Sequence, residues 1–363
     1  MLDNSRTGNP TIRSIISRVL QQTSKKPTIF AGGIQKPKSA KLRNAKQAKE
    51  RIDYAIQHAW ADSTLEKYAS SLKAFHTFCD SEGVDQAQRL PASEFLLCSF
   101  SASRAGEIAG GTARAAVAAV KAWHIIEGED WQGGIRLRYV LRGVENLAPE
   151  SSKRDIRPPV TASMVDLLAE HLDKSSPLDT AVLAAASSAL WGQIRLGEIL
   201  SDTQGKFKAG RIPMVADLRP PSTSAGSRAL HLPWTKTKGK RGEDAMLVKQ
   251  NTPSDPISAL ESHLTTNSIP SNLPLFSYRN AQNSLICLTR KRFLQRCNEI
   301  WGRYGYPAFT GHSFRIGGTT ELLLAGVHPD VVQAMGRWQS EAFKIYWRRL
   351  DLLAPLHWEF KAV

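Results

Sequence analysis

The sequence predicts a mainly α-helical protein with one small antiparallel β-sheet, built as two domains. Three observations carry this prediction. Apolar residues recur at spacings of three and four over long stretches in both halves of the chain. A stretch from Asn146 to Pro159, with two prolines in a row and small polar residues, interrupts that pattern and reads as a linker. Between Met214 and Lys249 the pattern changes to short runs separated by Gly, Pro and Ser, which are strand and turn signals.

The elements follow in order. Residues 1–48 form a basic arm, with Arg6, Arg13, Lys25, Lys26, Lys36 and Lys38 among its charges and Asp3 its only acid. Such an arm tracks phosphates, serves as a nuclear import signal, or is a solvated tail. Residues 49–147 read as a helical domain. Ser63-Thr64-Leu65-Glu66 has the form of a capping box, followed by Leu65, Tyr68, Leu72, Phe75 and Cys79 on one face. A second helix runs from Thr112 to Glu127 and stops at Gly128. Lys67, Lys73, Arg114 and Lys121 on this domain are candidate contacts to a polyanion, although each taken singly is an ordinary solvated charge.

The linker occupies 148–160 and the second domain 161–363. Thr161 caps a helix through Met164, Val165 and Leu168, and an apolar helix follows from Leu178 to Leu190. After a turn at Gly192, another helix carries Arg195 and Glu198. Met214–Leu218, Arg228–Thr237 and Asp244–Lys249 are strand-like, the last two joined by a hairpin loop at Lys238-Gly239-Lys240-Arg241-Gly242. Asp255-Pro256 starts a helix, because Asp caps and Pro suits the first helical position. Helices are further expected at Arg290–Arg303, Gly311–Ala325, Pro329–Met335 and Glu341–Leu350.

Composition narrows the function. The 363 residues are enough for two separate cores, and 42% hydrophobic content excludes a disordered chain. The most apolar stretch, Ala181–Leu190, is too short and too polar to span a bilayer. No secretory signal opens the sequence. The four cysteines form no Cys-x-x-Cys pair, so neither a disulfide framework nor structural zinc is expected, and a reducing compartment fits. A formal net charge of +15 points to a polyanionic partner, of which nucleic acid is the commonest.

Four segments carry chemistry. His312-Ser313-Phe314-Arg315 puts an imidazole and a guanidinium on one helical face, a pair suited to holding a phosphate and moving a proton. Arg195 sits among apolar residues, and Glu198 one turn on is its natural partner. Lys236, with Lys238 as the alternative, is placed at a strand end to protonate a leaving oxygen. Lys240 and Arg241 are loop charges or phosphate contacts. Last comes Gly336-Arg337-Trp338, then Ser340 as a cap, then Tyr346. A tyrosine has a pKa of roughly 10 and needs neighbouring cations to act as a nucleophile.

In that order, Arg195 with Glu198, Lys236, His312 with Arg315, Trp338 and Tyr346 resemble the tyrosine recombinases, or phage-type integrases. The resemblance covers the whole second domain and implies that it is the catalytic domain. The helical first domain is more loosely similar to the core-type DNA-binding module of that family. The resemblance implies that Tyr346 attacks a DNA phosphate to give a 3′-phosphotyrosyl link. It implies that Arg195 and Arg315 neutralise the phosphate, Lys236 protonates the leaving 5′ oxygen, His312 assists, and Glu198 positions. It also implies that neither cofactor nor metal is used, that the partner is double-stranded DNA with no membrane, and that four protomers assemble on two sites. One departure stands out: the family's His or Trp lies nine residues before the tyrosine, where this chain has Arg337, and Trp338 is one residue closer. Either Trp338 fills the slot, or Arg337 is the phosphate ligand and Trp338 packs. The Gly-Arg-Trp wording is similar to crypton and DIRS-like mobile elements, which implies a transposition role and nuclear residence. Two alternatives are a type IB topoisomerase, with the same covalent chemistry, and a domesticated DNA-binding protein that no longer cuts. The apolar tail with Leu352, Leu356 and Trp358 docks on a neighbour or folds back.

Overall fold

A computed structural model describes residues 44–153, 155–204, 207 and 210–346, without the side chains of residues 45, 341, 342 and 346. The basic arm to residue 43 and the tail from 347 therefore lie outside the described residues. The chain divides into two compact units between Asp155 and Ile156.

The first unit contains α1 (Ala45–Gln57), α2 (Asp62–Ser81), α3 (Glu94–Ala102), α4 (Gly110–Glu127) and α5 (Ile135–Asn146). The periodic residues of α2 do meet a core: Leu72, Phe75 and Cys79 are buried with Leu97, Phe100, Val120 and Trp123. Phe75 meets Phe100 edge-to-face at 5.2 Å, the geometry aromatic quadrupoles prefer. Gly128 ends α4 in the left-handed conformation that glycine adopts without strain. The expected capping box is absent: α2 starts at Asp62 with Ala61 as its cap residue, so Ser63 falls inside the first turn.

The second unit is built around α7 (Pro177–Trp191), which is apolar on nearly every face and therefore buried on nearly every face. Around it stand α6 (Ala162–His171), α9 (Pro256–Asn267), α10 (Arg290–Arg303) and α11 (Gly311–Leu324). Trp301, Phe293 and Phe314 fill the space between them. Thr161 and Asp255 cap α6 and α9 through their side chains, and Pro256 takes the first helical position of α9. Two shorter helices, α8 (Leu196–Ile199) and α12 (Pro329–Met335), lie beside the candidate site.

Sheet content differs from expectation in detail. β1 (Arg228–Leu232) pairs antiparallel with β2 (Glu243–Leu247), Leu230 opposite Ala245. A second two-stranded sheet joins β3 (Ser277–Arg279) and β4 (Leu285–Cys287). Met214–Leu218 is not a strand but a 3-10 turn at Val215–Asp217, with single bridges at either end. Pro213 before it and the Asp217 carboxylate accepting from the Met214 amide favour the turn. The described part of the last helix, Glu341–Tyr346, is 3-10. No helix among the described residues is long and apolar enough to cross a membrane.

Candidate active site

Two helix C-termini converge to form the base of the site. α7 ends in a Schellman cap: Gln193 N–H donates to Leu190 O (3.1 Å) and Ile194 N–H to Ala189 O (3.0 Å). α12 ends the same way, with Arg337 N–H to Ala334 O (2.9 Å) and Trp338 N–H to Gln333 O (3.1 Å). The left-handed residue in this cap is usually glycine. Here it is Gln193 in one case (φ 48°) and Arg337 in the other (φ 61°). Each costs about 1–2 kcal/mol of backbone strain, so its side chain has to return something.

Both side chains turn inward. Gln193 is fully buried; its Oε1 accepts from the Thr319 hydroxyl (3.0 Å) and its amide donates to Val332 O (3.3 Å). Arg337 is buried and donates to Gly192 O (3.3 Å) and to Glu198 Oε2 (3.1 Å). Burial pushes the Arg337 pKa down, while Glu198 opposes that shift.

Arg315 lies on α11 with no exposed surface. Its two terminal nitrogens donate to Gln193 O and Gly336 O, one carbonyl from each helix end. Helix C-termini carry partial negative charge, so they are suitable hosts for a buried cation. Trp338 closes the other side, its ring 4.1 Å from the guanidinium carbon. Trp338 also packs on Ile316 and Phe343. The close approach of α11 to these elements depends on Gly317 and Gly318: a Cβ there would lie 1.7 Å from Val160 O and 1.9 Å from Leu190 O.

Arg195 is the residue just before α8, and its side chain is about a quarter exposed. Its Nη1 donates to Glu198 Oε1 at 2.7 Å. Glu198 itself is buried, so one carboxylate bridges two guanidinium groups, Arg195 and Arg337. Arg195 and His312 line one cleft of about 530 Å³ together with Arg157, Arg290 and Lys291; among the described residues Asp202 is the one acid lining it, and it pairs with Arg290. This cleft is suited to an anion of phosphate size, with the partly exposed Arg195 guanidinium on one wall and an imidazole on another.

The structure therefore brings Arg195, Glu198, Arg337, Arg315 and Trp338 into one contact network, with His312 on the same cleft as Arg195. Arg315 is fully buried and does not line that cleft. Lys236, Lys238, Lys240 and Arg241 are exposed on the hairpin loop, and none lines the cleft. The loop is tied at its root, where the Thr235 and Thr237 hydroxyls donate to Glu243 Oε2 (2.7 and 3.0 Å). The backbone of Tyr346 closes the Glu341–Tyr346 turn; its side chain lies outside the described residues. In the first unit Lys67 and Lys73 are exposed on α2, whereas Arg114 pairs with Glu145 and Lys121 lies over Trp131.

Sequence reasoning missed Arg157, Arg290, Lys291 and Gln193. The run Arg290-Lys291-Arg292 was a usable signal, because three cations opening a helix oppose its dipole and need an outside reason. Gln193 gave none, since its role depends on a left-handed backbone conformation.

No family model and no curated protein sequence matches the chain. Solved structures do match. The chain is similar to XerH site-specific recombinase bound to palindromic difH substrate in a post-cleavage complex, with a TM-score of 0.55 and 15% identity over 85% of this chain and 84% of that one. It is similar to the XerH pre-cleavage complex with difH at a TM-score of 0.50 and 15% identity, over 98% and 90% of the two chains. A lambda integrase(75-356) dimer on a COC' core site follows at 0.49 and 13%, over 83% and 94%. The likeness is one of fold, shared with these site-specific recombinase structures.

Proposed function

We propose that this chain is a tyrosine recombinase that cuts and rejoins duplex DNA. The observation that carries the reading is the shared cationic cleft of Arg195 and His312, backed by the Glu198–Arg337 and Arg315–Trp338 pairs, in a site-specific recombinase fold. In this reading the Tyr346 oxygen attacks the phosphorus, a phosphotyrosyl bond forms, and the bond to the 5′ oxygen breaks. Lys236 delivers the proton to that oxygen. Arg195 grips non-bridging oxygens, and the buried Arg315 adds its charge as the transition state gains negative charge. His312 shares a proton near neutral pH. The covalent link conserves the phosphodiester for rejoining, so ATP is not consumed.

The Gly336-Arg337-Trp338 wording supports a mobile-element enzyme, and with the basic arm it supports action in the nucleus; four protomers on two DNA sites follow from the recombinase resemblance alone. Labelled duplex taken from the DNA flanking the gene tests the core of the proposal. Denaturing gels are expected to show a covalent protein–DNA band that Tyr346→Phe abolishes. A band that survives Tyr346→Phe rules out the nucleophile. Relaxation of plasmid DNA without paired sites would instead favour topoisomerase-type chemistry.

A further inference from the structure

We infer that Arg337 is a positioning residue for Arg195, acting through Glu198, and is not itself a phosphate ligand. The inference rests on the recombinase reading for its DNA readouts only. Its basis is geometric. Arg337 occupies the left-handed slot of the α12 cap, where glycine is the usual residue. Its guanidinium is directed away from solvent, with donors to Gly192 O, Met335 O and Glu198 Oε2. Only 8% of the residue is exposed, and it does not line the cleft that holds Arg195 and His312. Glu198 Oε1 accepts from the Arg195 guanidinium, and Oε2 accepts from the Arg337 guanidinium and from the Arg195 backbone N–H (3.3 Å).

The bridge has two consequences. Glu198 is fixed from behind, so Arg195 is held in one orientation at the cleft wall. Its negative charge is also divided between two cations. Arg195 therefore keeps a net positive field toward the cleft, which a one-to-one buried pair would cancel. Without Arg337, Glu198 would claim Arg195 for itself. The strained backbone supports the same reading, since a left-handed arginine persists only where its surroundings hold it.

The test compares wild type with Arg337→Gly, Arg337→Lys, Glu198→Gln, and Arg337→Gly combined with Glu198→Gln. Three readouts are used on the full chain: duplex DNA affinity against salt, adduct formation at saturating DNA, and urea unfolding. For Arg337→Gly the slope of log affinity against log salt is expected to match wild type, because no phosphate contact is lost. Adduct formation at saturating DNA is expected to fall about 10- to 100-fold, as for other residues that hold a ligating group in place. Arg337→Lys should recover part of that loss. The double variant should be no slower than the worse single variant, because both residues act through one bridge. A salt slope reduced by about one in Arg337→Gly, or losses that multiply in the double variant, would overturn the inference. If wild type forms no adduct, the recombinase reading fails. The unfolding cycle then decides the bridge without DNA, non-additive midpoints supporting it and additive ones sinking it.

Discussion

A guanidinium with no exposed surface has to be held by something other than water. Arg315 is held by two backbone carbonyls at helix ends and by the face of Trp338. Leaving a buried cation half-satisfied costs several kcal/mol, so these three contacts act together. Trp338 also joins α11 to the turn after α12 through Ile316 and Phe343. Trp338→Ala is therefore expected to destabilise the second unit by about 2–3 kcal/mol. This is below the range for a fully buried tryptophan, because Trp338 is only half-buried. Trp338→Phe keeps a ring over the cation and should cost less than half as much. Urea unfolding of the three proteins checks this, and equal losses for Ala and Phe would mean that ring stacking contributes nothing. At this scale the sequence left one question open, whether Arg337 or Trp338 takes the slot before the tyrosine. The structure gives the two side chains different partners: Trp338 covers Arg315, and Arg337 holds Glu198.

At the scale of the element, α11 shows how a local penalty serves a site. Two consecutive glycines inside a helix each cost about 1 kcal/mol relative to alanine. Gly317 and Gly318 are kept because Val160 O and Leu190 O lie where side chains would be. Gly318→Ala should thus reverse the usual sign. At an exposed helical site it would stabilise; here it is expected to destabilise by about 2–3 kcal/mol, since a backbone carbonyl cannot rotate away. Thermal unfolding of Gly318→Ala measures this, and an unchanged or raised midpoint would contradict the close packing. The elements legible in the sequence were those with strong local signals: α7 by its continuous apolar run, α9 by Asp255-Pro256, α4 by Gly128. Elements set by tertiary contact were not. β3 and β4 have three residues each, too few for a periodic signal. Arg195 and Glu198 were legible as a pair because three residues separate them. The third member of that bridge, Arg337, lies 139 residues from Glu198, and no local pattern reports it.

At the scale of the whole chain, each unit buries a histidine that must stay neutral. In the second unit His263 donates from Nε2 to Leu275 O (2.9 Å) and accepts at Nδ1 from the Asn267 amide (3.0 Å). The amide cannot readily turn over, because its oxygen already accepts from Arg279 N–H (2.9 Å). Burial lowers the His263 pKa to about 4. In the first unit burial, with Arg89 beside it, lowers His76 to about 4. An unfolded histidine titrates near 6.5. Between these values the unfolded chain binds protons that the folded chain does not, so stability falls as pH falls. The loss begins near pH 6.5 and runs down to about 4, at up to about 1.4 kcal/mol per pH unit for each histidine. Above about pH 8 both groups are neutral in both states and contribute no slope. Urea unfolding at pH 7.5 and pH 5 is expected to show lower midpoints at pH 5 for both units. His263→Gln, which keeps a donor for Leu275 O but cannot titrate, should flatten the pH dependence of the second unit while leaving that of the first. Midpoints of the second unit that fall as steeply in His263→Gln as in wild type would place the acid sensitivity elsewhere, on carboxylates rather than on this histidine.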